Sequence, residues 1–137
     1  MKFIAATLIG TIAAVQLEAP GQTYDASYVA AGILKLTEDT FDEALANHPD
    51  GVLVMFCASW DGYCKKIGPT YVEVGQELKN IGSDGTMAYV DADGERGLAQ
   101  RFGIRGFPTI KWFHEGNLDG EDYNGGRSKQ DFLDFIA

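Results

Sequence analysis

An α/β fold, a central mixed sheet with helices on both faces, is the class this sequence predicts, and three observations carry that prediction. Val52-Leu53-Val54-Met55-Phe56-Cys57 and Met87-Ala88-Tyr89-Val90 are unbroken apolar runs of strand length, as strands buried on both faces require. Between them Ile67, Tyr71, Val74 and Leu78 recur at three- and four-residue spacing, the mark of a helix with one buried stripe. Strands joined through helices run parallel, while His114-Glu115-Gly116-Asn117 is a hairpin-type turn that adds antiparallel edges. A length of 137 residues suits one such domain, and 45% apolar with 12% aromatic residues is enough to bury a core.

The chain opens with Lys2 and an apolar run over 3–15, with small side chains at Thr11, Ala13 and Ala14 for cleavage. The run falls short of the roughly 20 apolar residues that span a bilayer. Glu18-Ala19-Pro20-Gly21 then continues no helix, so 1–17 reads as a secretory signal peptide. Residues 18–31 are small and polar and read as a lead-in, leaving the domain proper at 32–137. Residues 33–36 form a short strand, after which Thr37 or Asp39 caps a helix burying Phe41, Ala44 and Leu45. Pro49-Asp50-Gly51 ends it with turn residues.

Beyond strand 52–57, a helix over 64–79 contains Pro69, which removes one backbone donor and predicts a kink. Strand 87–90 leads into a short helix capped by Asp93 and carrying Leu98, Ala99 and Phe102. Residues 109–113 and the stretch around Tyr123 supply the last two strands. Ser128 opens the final helix, with Asp131 at its third position and Phe132, Phe135 and Ile136 on the buried side.

Composition narrows the function. Twenty acidic against 11 basic residues give a formal charge of −9, which argues against nucleic acid, whose phosphates are bound by clustered Lys and Arg. Cys57, Cys64, His48 and His114 contain no close-spaced ligand pair, so no metal site is expected, and no cofactor is called for. Asp91-Ala92-Asp93-Gly94-Glu95 lacks the spacing and terminal Glu of a calcium loop. Asn47, Asn80, Asn117 and Asn124 are not followed two residues later by Ser or Thr, so N-glycosylation is not expected. Phe135-Ile136-Ala137 is no lumenal retention signal. The expected location is the secretory pathway, in the endoplasmic reticulum lumen or outside the cell, with no membrane association once the signal is removed.

The chemistry gathers in two separated stretches, residues 56–66 and 103–109. There the chain resembles the thioredoxin-fold domains of the protein disulfide isomerase family. The likeness runs from about 32 to 137. It includes Leu36-Thr37 with Phe41-Asp42, Trp60, Cys64-Lys65-Lys66 with Pro69, and Val90-Asp91-Ala92. Gly106-Phe107-Pro108-Thr109 and Gly126-Arg127 complete it. The resemblance implies a thioredoxin-like fold with Pro108 in the cis form facing the start of the long helix, where family members bind an extended client segment. It also implies that Arg127 swings toward the active site and favours a thiolate. Taken alone, Arg127 reads as a solvated residue before a helix.

The departures from the family pattern decide the expected activity. Family enzymes have Trp-Cys-Gly-His-Cys where this chain has Trp60-Asp61-Gly62-Tyr63-Cys64, so Asp61 replaces the attacking cysteine and Tyr63 the histidine. The buried, proton-relaying acid of the family aligns with Met55; Cys57 and Ser59 replace an aromatic residue and a proline. A helix N-terminus stabilises an anion, and Asp61 satisfies it permanently with a carboxylate that is no nucleophile. That charge, about one turn from Cys64, disfavours a second anion there and predicts a weak thiol. Without a neighbouring thiol, a client caught as a mixed disulfide must wait for glutathione.

Cys57 lies seven positions before Cys64, on the strand face of Met55. It forms a bridge only if the two Cα atoms come within roughly 7 Å. The sequence favours instead two free cysteines packed as small hydrophobes. The reading is therefore a disulfide isomerase-like folding factor that binds unfolded or disulfide-containing client polypeptides through Trp60, Tyr63, Phe107 and Pro108. Exchange through Cys64 is at most attenuated. The alternative is a competent thiol–disulfide oxidoreductase using Cys64, with or without Cys57.

Overall fold

The computed structural model describes residues 22–137; the signal peptide expected over 1–17 and the start of the lead-in lie outside them. The described residues form α1 (Gln22–Ala30), β1 (Leu34–Lys35), α2 (Phe41–Asn47), β2 (Val52–Cys57), α3 (Gly62–Asn80), β3 (Met87–Asp91), α4 (Arg96–Arg101), β4 (Thr109–His114), β5 (Asn117–Asp122) and α5 (Lys129–Ile136). The sheet runs β1-β3-β2-β4-β5. β3 pairs parallel with both β1 and β2, whereas β2–β4 and β4–β5 are antiparallel. This is the mixed sheet expected from the spacing of runs and turns.

β2 is the centre of the molecule, and its residues alternate between two cores. Leu53, Met55 and Cys57 face the layer of α1, α3 and α5, among Tyr28, Ile67, Tyr71, Val74 and Phe132. Val52, Val54 and Phe56 face α2 and α4, among Phe41, Leu45, Leu98 and Phe113. Every β2 residue is at most 1% exposed, which is why the strand reads as a continuous apolar run. Burial of each large side chain contributes on the order of 1.5–3 kcal/mol. The Tyr71 hydroxyl, carried inward by α3, lies 3.0 Å from the Leu53 carbonyl and 2.8 Å from that of Ala88, fastening the helix to two adjacent strands.

The lead-in is where the structure departs most from the sequence reading: its described part is the helix α1. Tyr28 is buried there, its ring 4.6 Å from that of Tyr89 and 6.0 Å from that of Tyr71. Tertiary packing of one aromatic anchor decides this helix, not an apolar stripe that a sequence pattern could reveal. Gly75 lets it sit close, since a Cβ there would come within 2.8 Å of the Ala31 carbonyl oxygen.

Two caps also differ. α2 starts after Thr40, not Thr37 or Asp39, and the Thr40 hydroxyl accepts from the Thr37 amide at 3.0 Å. α4 starts after Glu95, not Asp93. The Glu95 carboxylate accepts from the Glu38 amide at 2.9 Å, and that of Glu38 accepts from the Gly97 amide at 2.8 Å, tying the two helix starts together. The final helix has the expected Ser128–Asp131 capping box. Just before it, Tyr123 stacks on Phe132 and donates to the Gly126 carbonyl at 2.6 Å; burial and the nearby Asp131 push its phenol above the usual 10.0.

Candidate functional site

β2 ends at Cys57 and α3 begins at Gly62, so only four residues turn the chain from strand to helix. The turn is tight because the Asp61 amide donates to the Ala58 carbonyl at 3.1 Å, while the Ala92 amide holds the end of β2 by donating to the Cys57 carbonyl at 2.8 Å. Asp61 is the N-cap of α3: its backbone is extended, and its carboxylate accepts from the Cys64 amide at 3.0 Å. Such a cap stabilises a helix by about 1 kcal/mol, with a further gain from negative charge at the dipole's positive end.

Cys64 sits in the first turn on the inner face that continues through Ile67 and Tyr71. Cys57 points to the same side from the strand. Their Cα atoms are 5.8 Å apart and the two residues form a disulfide; no free cysteine remains among the described residues. The expectation of two free cysteines, and of Cys64 as a lone weak thiol, is corrected accordingly. The reason is geometric: the tight turn lays the first turn of α3 back against the strand end, within bridging range. The sulfurs are sealed, Cys57 being 1% and Cys64 0% exposed, and Met55 shares their apolar cluster.

Around this sealed bridge lies an open aromatic lip. Trp60 is 60% exposed; its ring meets that of Phe107 edge-to-face at 5.8 Å, and its Nε1–H donates to Asp93 at 3.3 Å. Asp93, expected as a helix cap, thus orients the tryptophan instead. Phe107 precedes a cis peptide bond to Pro108, and the loop is closed by the Thr109 hydroxyl donating to the Gly106 carbonyl at 2.7 Å. Tyr63 is 70% exposed on the first turn of α3, whereas Phe107 is half-buried and Pro108 buried. Of the four residues expected to form a contact surface, the two on the α3 side carry most of the exposed area.

Arg127 is exposed, and with Tyr63, Lys66, Ile67 and Thr70 it lines a cleft of about 240 Å³. A second cleft, of about 400 Å³, lies where α1 meets α3 and is lined by Ser27, Tyr28, Cys64, Lys65, Gly68, Pro69 and Val72. Ser27 and Tyr28 were not singled out in sequence because the helix carrying them was not. Thr70 was missed because a lone hydroxyl on a helix carries no pattern. Among the described residues no group of His, Cys, Asp and Glu is placed to hold a metal ion, and no helix is long and apolar enough to cross a membrane.

A model of the thioredoxin family matches residues 32–137. The chain is 39% identical over 112 residues to the protein disulfide-isomerase tigA of Aspergillus niger, covering 82% of this chain and 31% of that protein. It is 43% identical over 104 residues to the probable protein disulfide-isomerase A6 of Medicago sativa, covering 76% of this chain and 28% of the relative. It therefore spans about three tenths of the length of these two proteins. The solution structure of the first thioredoxin domain of mouse protein disulfide-isomerase A4 matches with a TM-score of 0.66 at 31% identity, over 77% of this chain and 74% of that one. The chain belongs to the thioredoxin family, as a thioredoxin domain of the protein disulfide isomerase type.

Proposed function

We propose that this protein is a disulfide isomerase-like folding factor of the secretory pathway that binds client polypeptides at the Trp60–Tyr63–Phe107–Pro108 lip, with disulfide exchange attenuated. The observation that carries this reading is the start of α3, where Asp61 caps the helix and Cys64 is sealed in a bridge. Exchange begins when a thiolate attacks a disulfide sulfur. Asp61 has no sulfur to offer, Met55 relays no proton, and the Cys64 sulfur is both bonded and covered. The lip, by contrast, keeps exposed rings that contact an apolar client segment without covalent chemistry.

A second reading, a competent oxidoreductase, is supported by the bridge itself, because Cys57 and Cys64 form an internal redox couple. In that reaction a client thiolate attacks one sulfur and the other leaves as a thiolate. A second client thiol then resolves the mixed disulfide, so that the client gains a disulfide and the pair is reduced. Glutathione disulfide is the chemical class that would reoxidise it. The step demands an opening that exposes a sulfur now fully covered, which places it second.

Insulin disulfide reduction by the purified protein separates the two. The expected rate is close to the uncatalysed one, alongside measurable binding of an unfolded client by Trp60 fluorescence. Enzyme-like turnover would overturn the first reading. An unchanged rate in Cys64→Ser together with no glutathione adduct under trapping would eliminate the second.

A further inference from the structure

The basic residues of this acidic chain are unevenly employed. Lys79 donates to the Ala30 carbonyl at 3.0 Å, while Arg96, Arg101, Lys111 and Lys129 pair with Asp93, Asp42, Asp122 and Glu77. Lys35 is likewise engaged. Among the described residues, the side chains of Lys65, Lys66, Arg105 and Arg127 have no ion pair or hydrogen bond. Lys66 and Arg127 line one cleft of the site and Lys65 the other. Lys65 and Lys66 follow Cys64, Arg105 stands two residues before Phe107, and Arg127 faces Tyr63, Lys66 and Thr70 across one cleft. Three nearby carboxylates have other partners: Asp61 accepts from the Cys64 amide, Asp93 from Trp60 while pairing with Arg96, and Asp131 belongs to the Ser128 capping box; Glu73, one turn beyond Thr70, stands exposed. Beside its exposed aromatic lip, this chain of formal charge −9 thus keeps cationic side chains that no carboxylate among the described residues pairs with.

We propose that the cleft of Tyr63, Lys66, Thr70 and Arg127 seats a client carboxylate, so that the protein prefers extended segments in which an Asp or Glu adjoins an apolar or aromatic residue. This rests on the client-binding reading above and names the class of client. The guanidinium of Arg127 offers a planar fork and the Lys66 ammonium a point charge, with the Thr70 hydroxyl as a further donor and Ile67 as floor. At about 240 Å³ the cleft is smaller than the roughly 300–1,000 Å³ of small-molecule sites, a size for one side chain of a longer ligand. Trp60 and Tyr63 meet the apolar neighbour. The charge complementarity adds selectivity and encounter rate more than raw affinity.

The test is fluorescence anisotropy with two labelled short peptides identical except for Glu or Gln beside a central Phe. At low salt the Glu peptide binds about fivefold tighter, the size that two solvent-exposed ionic contacts support. The ratio falls toward one near about 0.5 M salt, where screening is short-ranged. In the Lys66→Gln/Arg127→Gln variant, whose two side chains have no partner in the fold, the ratio is one; Arg127→Lys, which keeps the charge, retains the preference. Equal binding of both peptides by the wild type, or an undiminished ratio in the double variant, overturns the carboxylate seat while leaving client binding standing. Binding of neither peptide overturns both. Displacement of the Glu peptide by glutathione at equal concentration assigns the cleft to a small tripeptide and overturns the extended-client occupant.

Discussion

Two neighbouring parts of the site obey different rules. At the lip, Trp60 meets the half-buried Phe107 edge-to-face next to a cis proline, and the rings of Trp60 and Tyr63 stand open to solvent. One turn of chain away, Asp61 caps α3 and the Cys57–Cys64 bridge is closed over. Trp60 and the Gly106-Phe107-Pro108-Thr109 loop match the pattern that the family resemblance implies, whereas Asp61, Tyr63 and Met55 stand where it implies the attacking cysteine, a histidine and a buried acid. The contrast teaches that contact surface and redox chemistry are separable on this fold. Exposed rings need only a loop geometry. Thiol exchange needs an accessible sulfur, an anion-favouring helix end and a second thiol within reach.

The largest effect that sharpens this contrast comes from restoring the missing thiol. Asp61→Cys combined with Cys57→Ala puts a sulfur back at the helix end and frees Cys64 to join it. Insulin reduction should then rise by at least about a hundredfold, the lower end of what an intramolecular partner supplies. No gain would move the block to Met55. Next in size is removal of the bridge by Cys57→Ala/Cys64→Ala. Closing so short a loop is worth about 2 kcal/mol, so the thermal midpoint should fall by roughly 8 °C. A midpoint insensitive to this change or to reductant would deny the bridge a stabilising role. The smallest effect belongs to the lip: Trp60→Ala should weaken peptide binding about tenfold, as loss of an aromatic anchor does, while changing stability by less than about 0.5 kcal/mol. Undiminished affinity in that variant would remove the lip from client contact.

The sequence made the sheet legible because β2 and β3 are buried on both faces, and a run such as Val52-Leu53-Val54-Met55-Phe56-Cys57 has no other use in a chain this short. The final helix was legible through Ser128 and Asp131, whose spacing is itself the capping geometry. Helix α1 was not, because what holds it is the contact of Tyr28 with Tyr71 and Tyr89, residues more than 40 positions away. The caps at Thr40 and Glu95 were misplaced because several oxygen-bearing residues compete within each turn. At the site, motif and departure were both readable, yet the bridge was not. Seven positions of separation say nothing about distance until the turn after β2 folds Cys64 back to within 5.8 Å of Cys57.

The carboxylate at the head of α3 has a consequence for durability. A cysteine thiolate at that position climbs an oxidation ladder, reversibly at first and then irreversibly to the sulfinic and sulfonic acids. Asp61 has no rung to climb. Where peroxide is present, position 61 therefore keeps a single chemical form, and the head of α3 has no thiolate to lose.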